Sequence, residues 1–197
     1  DIGEMIQGAK QNKIVFDKTV EPIGQISLTI KKMKKPVIAS VFGAVAGAAF
    51  NIAVACDFCI AAEDSKFIQA FVNIGLIPDA GGLFLLTRSI GINKATHLVM
   101  LGSPVSAREG LDYGFVYQIC PREELEAETM KLASHLAQGP LVAYGYMKEL
   151  IYESQLKGYE EYSEVEAKKQ LACGDTSDFK EGVFAFGEKR KPVFTGN

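Results

Sequence analysis

The sequence contains no tryptophan, only two histidines and four cysteines in 197 residues. It also lacks an excess of positive charge: 21 Lys and Arg stand against 24 Asp and Glu, a formal charge of −3. A nucleic-acid partner is therefore not expected. No apolar run reaches roughly 18 residues without a polar break, so no membrane span is expected. The opening residues do not read as a secretory signal. Cys56, Cys59, Cys120 and Cys173 all sit in apolar stretches, which points to a reducing, cytoplasmic setting rather than a disulfide framework. Cys56 and Cys59 form a Cys-x-x-Cys, but no second pair and no nearby histidine completes a metal set, so packing is the reading for both. His97 and His135 fall on helix-like segments far from the Gly-rich turns and read as helix surface or core. Neither a metal nor a redox cofactor is expected. The remaining composition, 48% hydrophobic, suits a globular enzyme of one domain, or one domain with an appendage.

What the chain does have is concentrated between Lys35 and Gly91. Pro36 can begin a strand but not continue one, and Val37-Ile38-Ala39-Ser40-Val41-Phe42 reads as a strand buried on both faces. Gly43 to Ala49 then reads as a turn of residues with little or no side chain, which lets a ligand approach the backbone. A helix follows from Phe50 to Ala55, and its first N–H groups lack intrahelical partners. Strand, glycine turn and helix start together suit a developing negative charge. The logic repeats: Phe58 to Ala62 reads as a strand, and after Ile74-Gly75-Leu76-Ile77-Pro78 comes Asp79, then Ala80-Gly81-Gly82 and a helix. Asp79 is the only acid between Asp64 and Glu109.

The run KPVIASVFGAVAGAAFNIAVACD, followed by KF and NIGLIPDAGG, resembles the crotonase superfamily of enoyl-CoA hydratases and isomerases. The likeness covers essentially the whole chain. It is nearest to the phenylacetate-degradation isomerase branch, through Phe67 to Gly82 and through a tail of Asp178 to Phe186, Lys189-Arg190 and Phe194-Thr195-Gly196. The resemblance implies an α/β fold, a ββα spiral core over residues 1–138 and a C-terminal helical oligomerisation region over 139–197. It also implies a homotrimer or a hexamer, and a preceding segment that carries the first strands and one oxyanion-hole donor. Asp1-Ile2-Gly3-Glu4-Met5 resembles the stretch directly after that donor's motif.

The rest of the chain reads as mostly helix. Ile2 to Gln11 reads as a short polar helix or mobile loop. Val20 to Lys34 has helical apolar spacing and ends in lysines, which either form a solvated helix end or face CoA phosphates. Lys94 to Leu101 and Ser106 to Tyr113 read as helices, the second capped by Ser106 with Glu109 and ended by Gly114. Phe115 to Cys120 reads as a strand, Pro121 to Gln138 as a helix, and Gly139-Pro140 as the best boundary. Helices are expected over Leu141 to Leu156, Tyr159 to Ala172 and Ser177 to Lys189.

A CoA thioester has weakly acidic α-protons, and removing one puts charge on the thioester oxygen. By position in the resembling motif, the Ala48 backbone N–H, after Gly47, is the oxyanion donor. Hydratases of this family activate water with two glutamates; the matching positions here are Asn51 and Phe71, neither of which can act as a carboxylate. Asp79 stands where isomerase-like relatives carry their acid, and one carboxylate suffices to move a proton along an acyl chain. From local sequence Asp79 also reads as a helix N-cap. Asn51 either bonds the thioester or a water, or satisfies the helix start. Phe71, Leu83 and Phe84 are candidates for the acyl pocket, and Phe184, Phe186, Lys189 and Lys191 for CoA; core packing and solvated lysines are the alternatives. Asp57 reads as a structural turn residue. The resemblance thus implies an enoyl-CoA isomerase without a cofactor, its CoA thioester being the substrate, or a ring-epoxide isomerase. A hydratase and a weakly active acyl-CoA-binding or scaffolding subunit are the alternatives.

Overall fold

The computed structural model describes residues 2–11 and 13–197; Asp1 of the opening motif lies outside them. In chain order the elements are α1 (Ile2–Lys10), α2 (Val20–Lys32), β1 (Ile38–Val41), β2 (Ala44–Ala46), α3 (Ala48–Ala55), β3 (Phe58–Ala62) and β4 (Lys66–Ile68). A 3-10 turn over Ala70–Ile74 leads to α4 (Gly82–Ile90), α5 (Ile92–Leu101), β5 (Val105–Ser106), α6 (Ala107–Tyr113) and β6 (Gln118–Cys120). Then come α7 (Leu125–Ala137), α8 (Leu141–Ile151), α9 (Tyr159–Gly174) and α10 (Ser177–Gly187).

The strands form two three-stranded sheets, β1-β3-β6 and β2-β4-β5. The strands β1 to β4 alternate between the sheets, β5 stays in the second and β6 returns to the first, with helices between. This spiral of two strands and a helix is the expected α/β architecture. Within the first sheet every pairing is parallel, with Ile38 opposite Phe58 and Ile60 opposite Gln118. In the second, β2 and β4 run parallel and β5 closes antiparallel to β4.

Three differences from the sequence reading have physical causes. β1 is an edge strand, so its residues are half-buried and Ser40 is exposed; the strand sealed by its neighbours is β3, buried from Cys59 to Ala62. The small-residue turn Gly43 to Ala49 contains β2, because Ala44–Ala46 can lie flat against β4 and pair with it. The turn itself contracts to Gly47, whose φ of 58° and ψ of −128° only glycine adopts freely. Ser106 forms the expected capping box with Glu109, and Gly114 ends α6 in the left-handed region.

The rings of Phe50, Phe67 and Phe115 meet at centroid distances of 5.0 to 5.2 Å, and all three are buried. Each large ring removes apolar surface worth roughly 1.5–3 kcal/mol from water. The cluster pins α3 and the second sheet behind the glycine turn. The C-terminal helices fold back on this core. Phe179 and Val183 of α10 pack with Phe71, Ile74 and Leu76, while Leu156 and Tyr159 pack with Leu28, Phe84 and Leu85. Phe84 lies edge-on to Tyr159 at 5.0 Å.

Candidate active site

A cavity of about 590 Å³ opens between α1, α2, the Gly47 turn, the Ala70–Ile74 turn and the chain around Asp79. Its walls are mostly apolar: Met5, Phe16, Val20, Ile23, Phe71, Ile74 and Leu76. Gly47 and Ala48 form one end, and Asp79 and Gln170 also reach it. Of the predicted site residues, Asp79, Ala48, Gly47 and Phe71 are thus brought to one space. As the first residue of α3, Ala48 has no intrahelical acceptor for its N–H. The Gly47 N–H is committed to the Ile68 carbonyl at 2.9 Å, which leaves Ala48 as the donor at this turn.

Asp79 is not the N-cap of α4. Gly81 holds that position, and no side chain caps the helix. The turn is made instead by the Asp79 carbonyl, which accepts the Gly82 N–H at 2.9 Å. The carboxyl group is buried, and its Oδ1 has no hydrogen-bond partner. Burial pushes its pKa up to about 6, against a smaller downward pull from the Gln170 side chain. An acid near 6 is poised to accept and return a proton near neutral pH.

The turn that carries Asp79 is held from two sides, by α3 and by α9. Asn51 donates through Nδ2 to the Asp79 carbonyl at 2.8 Å. Gln69 Nε2 donates to Asn51 Oδ1 at 2.7 Å. From α9, Gln170 Oε1 accepts the Ile77 N–H at 3.0 Å and Glu166 Oε1 accepts the Gly81 N–H at 2.8 Å. Tyr159 Oη donates to the Ala80 carbonyl at 3.3 Å. Ala80 and Gly81 both have positive φ, 54° and 70°, a conformation that costs a non-glycine residue about 1–2 kcal/mol. A Cβ at Gly81 would fall 1.7 Å from Tyr159 Oη, so glycine is required there by space as well as by φ.

These contacts correct the sequence reading at several positions. Asn51 is fully buried and lies outside the cavity lining; its amide is committed to the Asp79 turn, so it positions rather than touches substrate. Leu83 and Phe84 do not line the cavity. Phe84 instead packs between Tyr159 and Tyr162, because the first turn of α4 faces α9. Phe184 and Lys189 also lie outside the lining, whereas Phe186, 58% exposed, stands at its rim. Glu4, exposed on α1, is a second acid at the cavity mouth that the sequence reading passed over.

Glu166 and Gln170 were also missed. They lie 85 and 93 residues from their partners Gly81 and Ile77. A signal does exist: Tyr159, Ser163, Glu166, Gln170 and Gly174 are spaced along one face of α9, and all are buried. A polar stripe of this kind looks like a solvated face until the fold covers it.

Among the described residues no group of histidines, cysteines and acids could hold a metal ion. The four cysteines are free, and burial raises the Cys59 thiol to about 12, which keeps it protonated.

Comparison with known proteins gives a consistent result. Residues 1–197 match the family described as enoyl-CoA hydratase/isomerase. A trans-2-decenoyl-acyl-carrier-protein isomerase of Streptococcus mutans is 50% identical over 179 residues, spanning 91% of this chain and 68% of that protein. A 1,2-epoxyphenylacetyl-CoA isomerase of Escherichia coli is 38% identical over 167 residues, 85% of this chain and 64% of that one. Among solved structures, an enoyl-CoA hydratase from Mycobacterium avium subsp. paratuberculosis superposes with a TM-score of 0.88 at 33% identity, over 93% of this chain and 75% of that one.

Proposed function

The chain belongs to the enoyl-CoA hydratase/isomerase family, and within it we propose that it isomerises an enoyl thioester, shifting a double bond between the 3- and 2-positions with Asp79 as the single proton shuttle. The observation that carries this reading is the buried Asp79 carboxylate, unpaired at Oδ1, in an apolar cavity whose end holds the first N–H of α3. Asp79 removes the α-proton, and charge moves to the thioester oxygen. The Ala48 N–H stabilises that oxygen. Protonated Asp79 then delivers its proton to the other end of the allylic system, so one carboxyl group serves as base and then as acid. One oxyanion-hole donor is worth about 2.7–4 kcal/mol.

Phe71 supports isomerisation over hydration. It places a ring at the cavity wall where the hydratase pattern calls for a carboxylate, and Asn51 is turned away into the Asp79 turn. The 50% identical relative is named an isomerase, and the apolar walls suit an acyl chain. Its name specifies an acyl-carrier-protein thioester and that of the 38% relative a CoA thioester, so both carriers present the same reacting group. Ring-epoxide isomerisation is the second reading, favoured by the 38% identical relative.

The assembly proposal is a homotrimer or hexamer built through residues 139–197 in the cytoplasm. It is supported by the exposed apolar face of α8, including Val142, Tyr146 and Leu150, and is checked by sedimentation. No helix among the described residues is long and apolar enough to cross a membrane.

The test uses the full-length protein and its Asp79→Asn variant with a 3-enoyl-CoA in heavy water. Conjugated product from the wild type only, with the ester still bound by the variant, is the expected result. Equal rates in both would remove Asp79 from the mechanism. Added water in the product would make the enzyme a hydratase, and binding without turnover would favour the epoxide or scaffolding reading.

A further inference from the structure

The Asp79 turn is anchored to α9 by a second buried carboxyl group that the isomerase chemistry does not itself require. Glu166 is 5% exposed; Oε1 accepts the Gly81 N–H, and Oε2 is buried without a hydrogen-bond partner. An ordinary structural acid at such a place would pair both oxygens or be replaced by a neutral acceptor. Gln170, one turn along, shows that a neutral acceptor works here, since its amide oxygen holds Ile77 in the same way.

We propose that Glu166 is a positioning residue for the proton transfer: it fixes the Gly81 amide, and with it the strained Ala80-Gly81 turn that presents Asp79 to the cavity, while its second oxygen sets the electrostatic surroundings in which Asp79 exchanges its proton. This inference rests on the reading of Asp79 as the proton shuttle.

The titratable groups facing Glu166 are few. Burial, and more weakly the charge of Asp79, raises Glu166 to about 7, while the Gly81 N–H and the Tyr162 hydroxyl pull it down. On α9 itself, Tyr159 and Tyr162 are held above the ordinary tyrosine value, chiefly by burial and then by Glu166, and stay neutral. From α2 the group that reaches this network is the uncharged Ser27 hydroxyl, against Tyr159. From α4 it is the ring of Phe84. Asp79 and Glu166 therefore titrate as a coupled pair of carboxyl groups, both raised by burial.

The experiment compares pH profiles of kcat/KM for a 3-enoyl-CoA in full-length wild type, Glu166→Gln, Glu166→Ala and Asp79→Asn. Glutamine keeps an acceptor for Gly81 and removes the titration. Glu166→Gln is expected within about threefold of wild type near pH 6, and to lack the second inflection expected of the wild type near pH 7. Glu166→Ala is expected to lose kcat by about tenfold or more at little-changed KM, because the turn is no longer held in place. Should the alanine variant not fold, the glutamine profile still decides. A Glu166→Gln profile superimposable on the wild type would overturn the proposal, as would wild-type kcat in Glu166→Ala. An active Asp79→Asn would instead overturn the shuttle reading, and so separates the two failures.

Discussion

Two acid sites lie at opposite ends of α3, one partly exposed and one buried, and the chain treats them differently. At the C-terminal end, Asp57 Oδ2 accepts the Val37 N–H at 2.8 Å and pairs with the ammonium of Lys148. Lys148, only 9% exposed, also donates to the Ile30 carbonyl at 3.0 Å. Charge there is matched by charge, and the pair ties α8 to β1 and α2. Near the N-terminal end, Asp79 is buried with an oxygen unpartnered and no cation beside it, and its neighbour Glu166 is an acid as well. A carboxylate paired with an ammonium holds structure; a buried carboxylate without such a partner is kept at a cost to stability and exchanges its proton closer to neutral pH.

That contrast can be broken by exchanging roles. The largest effect is expected on turnover: Asp79→Asn should lower kcat/KM by about 10³-fold, within the 10²–10⁴ range of general acid–base groups, measured by conjugated-product formation. At the other site, Lys148→Met should leave turnover per folded molecule unchanged. It should destabilise the fold by about 2–4 kcal/mol, read from the urea midpoint, because it strands the partly buried Asp57. A Lys148→Met protein that is fully stable would erase the distinction between the two sites.

The third effect has a sign fixed by linkage. The native pKa of Asp79 is raised, to about 6, so this group's contribution to stability is fully present below the unfolded value near 4 and is lost as pH rises through about 6. Asp79→Asn removes the charged form. The variant should therefore be more stable than the wild type by about 1–3 kcal/mol at pH 8, with the gain vanishing near pH 4, measured by paired thermal melts. A variant less stable at pH 8 would mean that Asp79 is structurally paired, as Asp57 is. The smallest effect belongs to Ala80→Gly. Relief of the positive φ, set against the greater freedom of an unfolded glycine, should raise stability by up to about 1 kcal/mol while loosening the turn and lowering kcat severalfold.

The family pattern made much of the candidate site's backbone legible. Lys35 to Gly91 carries the Gly47 turn, the first amide of α3 and Asp79 in local order, and a strand-turn-helix needs only neighbouring residues to form. Helix ends were legible for the same reason: the Ser106–Glu109 capping box closes over three residues. Side-chain direction was not. Leu83 and Phe84 come soon after Asp79 in sequence, yet the first turn of α4 presents Phe84 to α9 rather than to the cavity. The N-cap reading of Asp79 failed because the positive φ of Ala80 and Gly81 aims the carboxyl away from the helix start, and that conformation is imposed by Asn51, Tyr159 and Glu166 from elsewhere.

By itself, then, the sequence determined the strands of the first sheet, the helices, the glycine at the turn and the acid beyond it, since each depends on backbone chemistry within a few residues; the short strands of the second sheet were not legible. Only the tertiary structure decided which acids are paired, which amides are spent and which face of α9 is buried. Those depend on contacts across 85 residues or more, where one helix's polar stripe becomes another segment's support, and on desolvation, which no isolated segment has.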